Sequence, residues 1–195
     1  MKYLKYFYVL AIILQSCSKN QNIVTEQINK AAAEEFTEYT IAAGEHYSDK
    51  TTIKQVSITQ MLFKVKFNSS AIYTTNDSQN QYDINKLYGF TEGDDPHGNS
   101  ARIGWSYNDR SLRLYAYAYN SGQRISQEIS TVNIDETINC AIKIEGNEYV
   151  FVVNEKQVRL SRAQAAPTVK GYQMFPYFGG DETAPQKITV FIKDI

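Results

Sequence analysis

Three short runs hold the residues whose chemistry stands out: Lys86-Leu87-Tyr88-Gly89-Phe90, Ser100-Ala101-Arg102 and Leu114-Tyr115-Ala116-Tyr117-Ala118-Tyr119. Arginine pairs bidentately with a carboxylate, and a tyrosine ring covers the apolar face of a sugar while its hydroxyl hydrogen-bonds. Such a set suits an acidic sugar. On a uronate it could do more, because cleavage by β-elimination needs the carboxylate neutralised, a base for the C5 proton and an acid for the departing oxygen. Arginine and lysine could serve the first need and tyrosine the other two, and the scheme requires no metal or organic cofactor.

These residues need strands to position them. Side chains alternate between the two faces of a strand, so Ser100 and Arg102 share one face while Ala101, Ile103 and Trp105 fill the other. The same alternation separates Leu112, Leu114, Ala116 and Ala118 from Arg113, Tyr115, Tyr117 and Tyr119. Each strand thus offers one core face and one polar-aromatic face. Tyrosine also fits a half-exposed pleated surface for packing reasons alone, so the tyrosine row by itself reads equally as scaffold. Short β-rich runs recur between turn signals at 60–67, 85–90, 101–107, 111–119, 127–132, 138–144, 149–153, 172–178 and 187–192. That spacing predicts an all-β sandwich or jelly roll.

Further candidates border the same surface. His97 lies in the polar loop Glu92-Gly93-Asp94-Asp95-Pro96-His97-Gly98-Asn99, as a base, a substrate contact or a solvated loop residue. The acids of that loop lack EF-hand spacing, and no metal site is expected there. Gln81, in Asn80-Gln81-Tyr82-Asp83, lines a groove edge or sits in a turn. Gln173 and Tyr177 share a face with Phe175 between them; if Phe175 belongs to the core, Tyr172 faces the groove instead.

Lys86-Leu87-Tyr88-Gly89-Phe90, Ser100-Ala101-Arg102 and Leu114-Tyr115-Ala116-Tyr117 resemble, in the same order, the KLPG, SxR and YxY segments of the alginate lyase and glucuronan lyase group of jelly-roll polysaccharide lyases. Phe178-Gly179-Gly180 followed by Ala184-Pro185 is similar to that group's FFGG strand end. The resemblance implies a concanavalin A-like jelly roll with a concave groove. It implies Lys86 and Arg102 as carboxylate-contacting residues, Ser100 as a positioning residue, and Tyr115 with Tyr117 as candidate acid and base. Tyr119, Gln81, His97, Gln173 and Tyr177 would complete the substrate contacts. Tyr88 stands where the motif has proline, Gly104-Trp105 has no adjoining arginine, and the connection from Lys86 to Ser100 is short.

The N-terminus sets the location. Lys2 and Lys5 precede the apolar run Phe7–Leu14, which is about half the roughly 20 residues a membrane-spanning helix needs. Leu14-Gln15-Ser16-Cys17 resembles a lipobox, so residues 1–16 read as a lipoprotein signal peptide and Cys17 as the lipidated first residue. Residues 17–40 then form a short, partly helical tether and 41–195 the β-jelly-roll domain. This places the chain in the cell envelope, anchored by lipid at the outer membrane or cell surface. Cys140 is left without an intramolecular disulfide partner and reads as a buried strand residue. Losing 1–16 removes two lysines and no acid, taking the formal charge from −1 to −3, and a chain without a basic excess has no electrostatic footprint for nucleic acid. The expected partners are an acidic polysaccharide or other glycan and, through the lipid, a membrane. A glycan-binding lipoprotein without catalysis shares every one of these features.

Overall fold

The computed structural model describes residues 35–195; the expected signal peptide, Cys17 and residues 17–34 of the expected tether lie outside the described residues. Twelve strands form two six-stranded antiparallel sheets. One runs β1 (Thr37–Ile41), β12 (Ile188–Asp194), β3 (Gln60–Phe67), β8 (Ile138–Glu145), β9 (Glu148–Val153), β10 (Lys156–Ser161). The other runs β2 (Gln55–Ile58), β11 (Val169–Met174), β4 (Asn85–Thr91), β5 (Ser100–Asn108), β6 (Ser111–Asn120), β7 (Gln123–Val132). The jelly-roll sandwich expected from the strand spacing is the fold observed.

Alternation explains the core. Ala101, Ile103 and Trp105 of β5 and Leu112, Leu114, Ala116 and Ala118 of β6 are buried, facing Phe63, Val65, Phe67, Ile142, Phe151 and Val190 of the other sheet. Removing that apolar surface from water is the main stabilising term. Cys140 is a free, buried thiol in β8, and its burial pushes its pKa up. The Asn108–Ser111 hairpin closes through Asp109 and Arg110, both in the left-handed region, as Ser121 and Gly122 close the next one. Two-residue turns of this kind match the twist of paired strands.

Five elements differ from the sequence expectation. The chain enters the sandwich at Thr37, because β1 pairs along its whole length with β12. Strands β2 and β10 are additional, and both lie at sheet edges, where exposed polar side chains mask the strand pattern. Strand β7 starts at Gln123 rather than Gln127, and β11 spans Val169–Met174 rather than 172–178.

Strand β4 carries a bulge. Lys86 pairs with Gly104 and Tyr88 with Ile103, so Leu87 is an extra residue and both Leu87 and Tyr88 turn inward. Lys86 is thereby left on the outer face. Close by, Gly89 has no room for a side chain, since a Cβ there would lie 2.1 Å from the Ala101 carbonyl.

Candidate active site

The outer face of the second sheet holds a groove of about 670 Å³ lined by Lys86, His97, Arg102, Tyr117, Tyr119, Arg124, Tyr172 and Tyr177, among others. Arg102 and Tyr117 are direct partners across β5 and β6, and Tyr119 faces Arg124 across β6 and β7. The Arg102 guanidinium carbon lies 5.5 Å from the Tyr117 ring centroid, and the Lys86 ammonium lies 5.4 Å from the same ring and 5.6 Å from that of Tyr177. The sequence motifs on three adjacent strands therefore converge on Tyr117.

Backbone contacts fix this centre. Lys86 and Tyr177 exchange both backbone hydrogen bonds at 2.9 Å. The Lys86 ammonium donates to the Gly179 carbonyl at 2.5 Å, while the Gly179 amide donates to the buried Asn85 side chain at 2.6 Å. Gly179 has φ +102°, and a Cβ there would lie 2.3 Å from the Glu182 carbonyl, so only glycine can present that carbonyl to the lysine. His46 stacks on Tyr177 at 5.1 Å and Tyr47 meets it edge-on at 4.9 Å.

The electrostatics of the groove are set by three basic side chains, Lys86, Arg102 and Arg124. Among the described residues no carboxylate forms an ion pair with Lys86, Arg102 or Arg124. Arg102 is 9% exposed, and its buried Nε has no hydrogen-bond partner. A buried cation in that condition is costly unless something pairs with it. Burial, with Arg102 and Arg124 adding to it and the nearby Asp83 carboxylate opposing, brings the Lys86 pKa down to about 8. Burial first, then Tyr119 beside it, pushes the Tyr117 hydroxyl up to about 12, with Arg102 and Arg124 acting the other way. Tyr117 therefore keeps its hydroxyl proton at neutral pH.

Other candidates have different surroundings. His97 lines the groove with its ring 5.1 Å from that of Tyr119, and its Nδ1 lies 4.0 Å from the Asp95 carboxylate. Its loop begins at Glu92, which pairs with the buried Arg162 and accepts from the Tyr149 hydroxyl at 2.7 Å. Tyr115 shares the face of Tyr117 but pairs with Gly104 farther along the strand, and its hydroxyl is joined to that of Ser106 at 3.0 Å, outside the groove lining. Ser100 is fully buried and donates to the Pro96 carbonyl at 2.7 Å, so it pins the loop beneath His97.

Gln81 and Gln173 are likewise engaged internally. The Gln81 amide donates to the Tyr107 carbonyl at 2.5 Å and its oxygen accepts from the Thr75 amide at 2.9 Å, fastening the short 3-10 helix Ser78–Tyr82 to β5 rather than lining the groove. Gln173 does border the groove, but it pairs with the core residue Phe90, is buried, and donates its amide to the Tyr88 hydroxyl. Phe175 packs against Tyr39 and Tyr88, and Tyr172 lines the groove, so the alternative with Phe175 inward is the one realised. Tyr177 still reaches the groove because β11 ends at Met174 and alternation lapses before it.

Arg124, Tyr47, Ile53 and Met174 also line the groove and went unread in the sequence. Arg124 lies in the polar start of β7, Gln123–Ser126, which follows the Ser121-Gly122 turn without a clear strand pattern, while Tyr47 and Ile53 lie outside any strand and carry no signal.

No family profile matches the chain, and no curated protein matches it by sequence. Solved structures do. Alginate lyase AlyC3 superposes with a TM-score of 0.55 at 9% identity, over 82% of this chain and 73% of that one. The same lyase in complex with dimannuronate gives 0.54 at 9% identity, over 81% and 72%. LamAcat from Zobellia galactanivorans gives 0.52 at 7% identity, over 82% and 76%. The chain has the jelly-roll fold of alginate lyases. At such identities the likeness is one of architecture, and the chemistry has to be argued from the groove's own residues.

Proposed function

We propose that this chain is a cell-envelope lipoprotein, lipidated at Cys17, whose groove cleaves a uronate-containing polysaccharide by β-elimination. The observation that carries the reading is the unpaired cation pair Lys86 and Arg102 beside a protonated tyrosine, Tyr117. A uronate carboxylate supplies the missing counter-charge. Arg102 offers its guanidinium and Lys86 its ammonium, both in the groove lining, to that carboxylate, and withdrawing its charge acidifies the C5 proton of the sugar.

The remaining roles follow from proton inventory. His97, oriented by Asp95 and Tyr119, accepts the C5 proton. The C5–H electron pair becomes the C4–C5 double bond, the bond from C4 to the glycosidic oxygen breaks, and Tyr117 protonates that oxygen as it leaves. Tyr119 and Tyr177 cover the sugar faces on either side. Bound dimannuronate in a structural neighbour supports an acidic glycan as the ligand class.

A second reading is a glycan-binding lipoprotein. It is favoured by the exposure of His97, whose side chain is 72% accessible and so weakly held for base chemistry. Ultraviolet absorbance of the unsaturated product, followed on a panel of uronate polysaccharides, separates the two. A rise that vanishes in Tyr117→Phe supports elimination. Tight binding without any rise supports the binder.

A further inference from the structure

We infer that the groove takes a heteropolysaccharide in which an acidic sugar adjoins a neutral sugar with an apolar face, rather than a polyuronate; this rests on the uronate reading of Lys86 and Arg102. The reason is that charge is confined to one half of the groove. Lys86 and Arg102 gather at Tyr117, and Arg124 stands opposite the neighbouring Tyr119. The half built on β11 and the segment before β2 presents Tyr172, Met174, Pro176 and Ile53, with the uncharged Thr51 and Thr52 beside them. Among the lining residues no further lysine or arginine is present, and the one remaining full charge is the acid Asp181.

The two halves are far enough apart to hold different sugars. Strands β4 and β5 separate β11 from β6, which at the usual spacing between strands puts roughly 14 Å between Met174 and Tyr117. In a polyuronate the sugar over β11 would bring a second carboxylate against apolar side chains, with no lysine or arginine of that half to meet it. Desolvating an unpaired carboxylate is strongly unfavourable. A neutral sugar, above all a 6-deoxyhexose, instead buries C–H surface on the same side chains. Ile53 is 89% exposed and Tyr47 66% exposed at this end, where such a sugar would cover them.

Calorimetry on the purified protein tests this with two oligosaccharides of equal length, an oligoglucuronate and one alternating glucuronate with a neutral 6-deoxyhexose. The alternating oligosaccharide is expected to bind at least tenfold more tightly. Met174→Lys, which puts a cation into the apolar half, is expected to bring the ratio towards unity by strengthening the oligoglucuronate. Equal or tighter binding of oligoglucuronate by the unaltered protein overturns the inference and leaves the uronate site standing, as does a ratio unmoved by Met174→Lys. If neither binds, the uronate reading itself fails, and this inference with it.

Discussion

Arg102 and Tyr117 are register partners on β5 and β6, and the guanidinium carbon of the one sits 5.5 Å from the ring centroid of the other, while among the described residues no carboxylate forms an ion pair with it. A nearly buried cation held this way lowers stability in the free protein and becomes favourable only when an anion arrives. Arg102→Met should therefore raise the melting temperature, by about 1 kcal/mol or more of stability, and weaken uronate binding by about 1.5–3 kcal/mol. Thermal denaturation and calorimetry on the same preparation check both signs. Arg102→Lys should recover only part of the affinity, because an ammonium cannot reproduce the planar fork.

Tyr117→Phe removes the proton donor and little volume. Turnover should fall by about 100-fold or more, with uronate affinity changed far less, as read from product absorbance and calorimetry side by side. Tyr115→Phe, by contrast, breaks only the contact with Ser106 and should leave turnover within a few-fold of the parent.

Lys86 sets a pH dependence. Its folded pKa of about 8 lies below the ordinary 10.5, so between those values the unfolded chain holds a proton that the folded chain has released. From this residue stability rises with pH across that window. A bound carboxylate favours the ammonium and opposes the shift, so uronate binding should take up a proton in the same range and weaken as pH climbs past about 8. Calorimetry in buffers of different ionisation enthalpy measures the uptake, and Lys86→Met should abolish it.

Gln81→Ala and Glu92→Gln probe the supports. Gln81 spends its amide on backbone groups of β5 and the Thr75 turn, so its loss should cost about 1–3 kcal/mol of stability without altering uronate affinity. Glu92→Gln strands the buried Arg162 charge and should cost about 3–5 kcal/mol. Chemical denaturation reads both.

The sequence was most legible where one rule decides the outcome. Ala101, Ile103 and Trp105 had to face the interior once β5 was recognised, which put Arg102 outside and Tyr117 beside it. Alternation names a face, however, and is silent about what covers it. Ser100 and Tyr115 lie on the expected face yet are claimed by Pro96 and Ser106. Gln81 was read for its hydrogen-bonding capacity, which local backbone consumes first. Arg124 was missed because β7 is an edge strand whose polar start looks like a turn. Ile53 and Tyr47 reach the groove only through tertiary folding of an irregular segment, for which no periodicity exists.

Along most of the groove floor a substitution changes one side chain, whereas gaining or losing a residue would turn over every side chain that follows. Leu87, on the strand that carries Lys86, is an exception. As the surplus residue opposite the Gly104–Ile103 step, it can be dropped with Lys86 still facing water and Tyr88 and Phe90 still facing oil, at the expense of the space its own side chain fills. Strand length and strand facing are uncoupled at that point, which makes position 87 the place where related sheets could differ in length and keep the same groove.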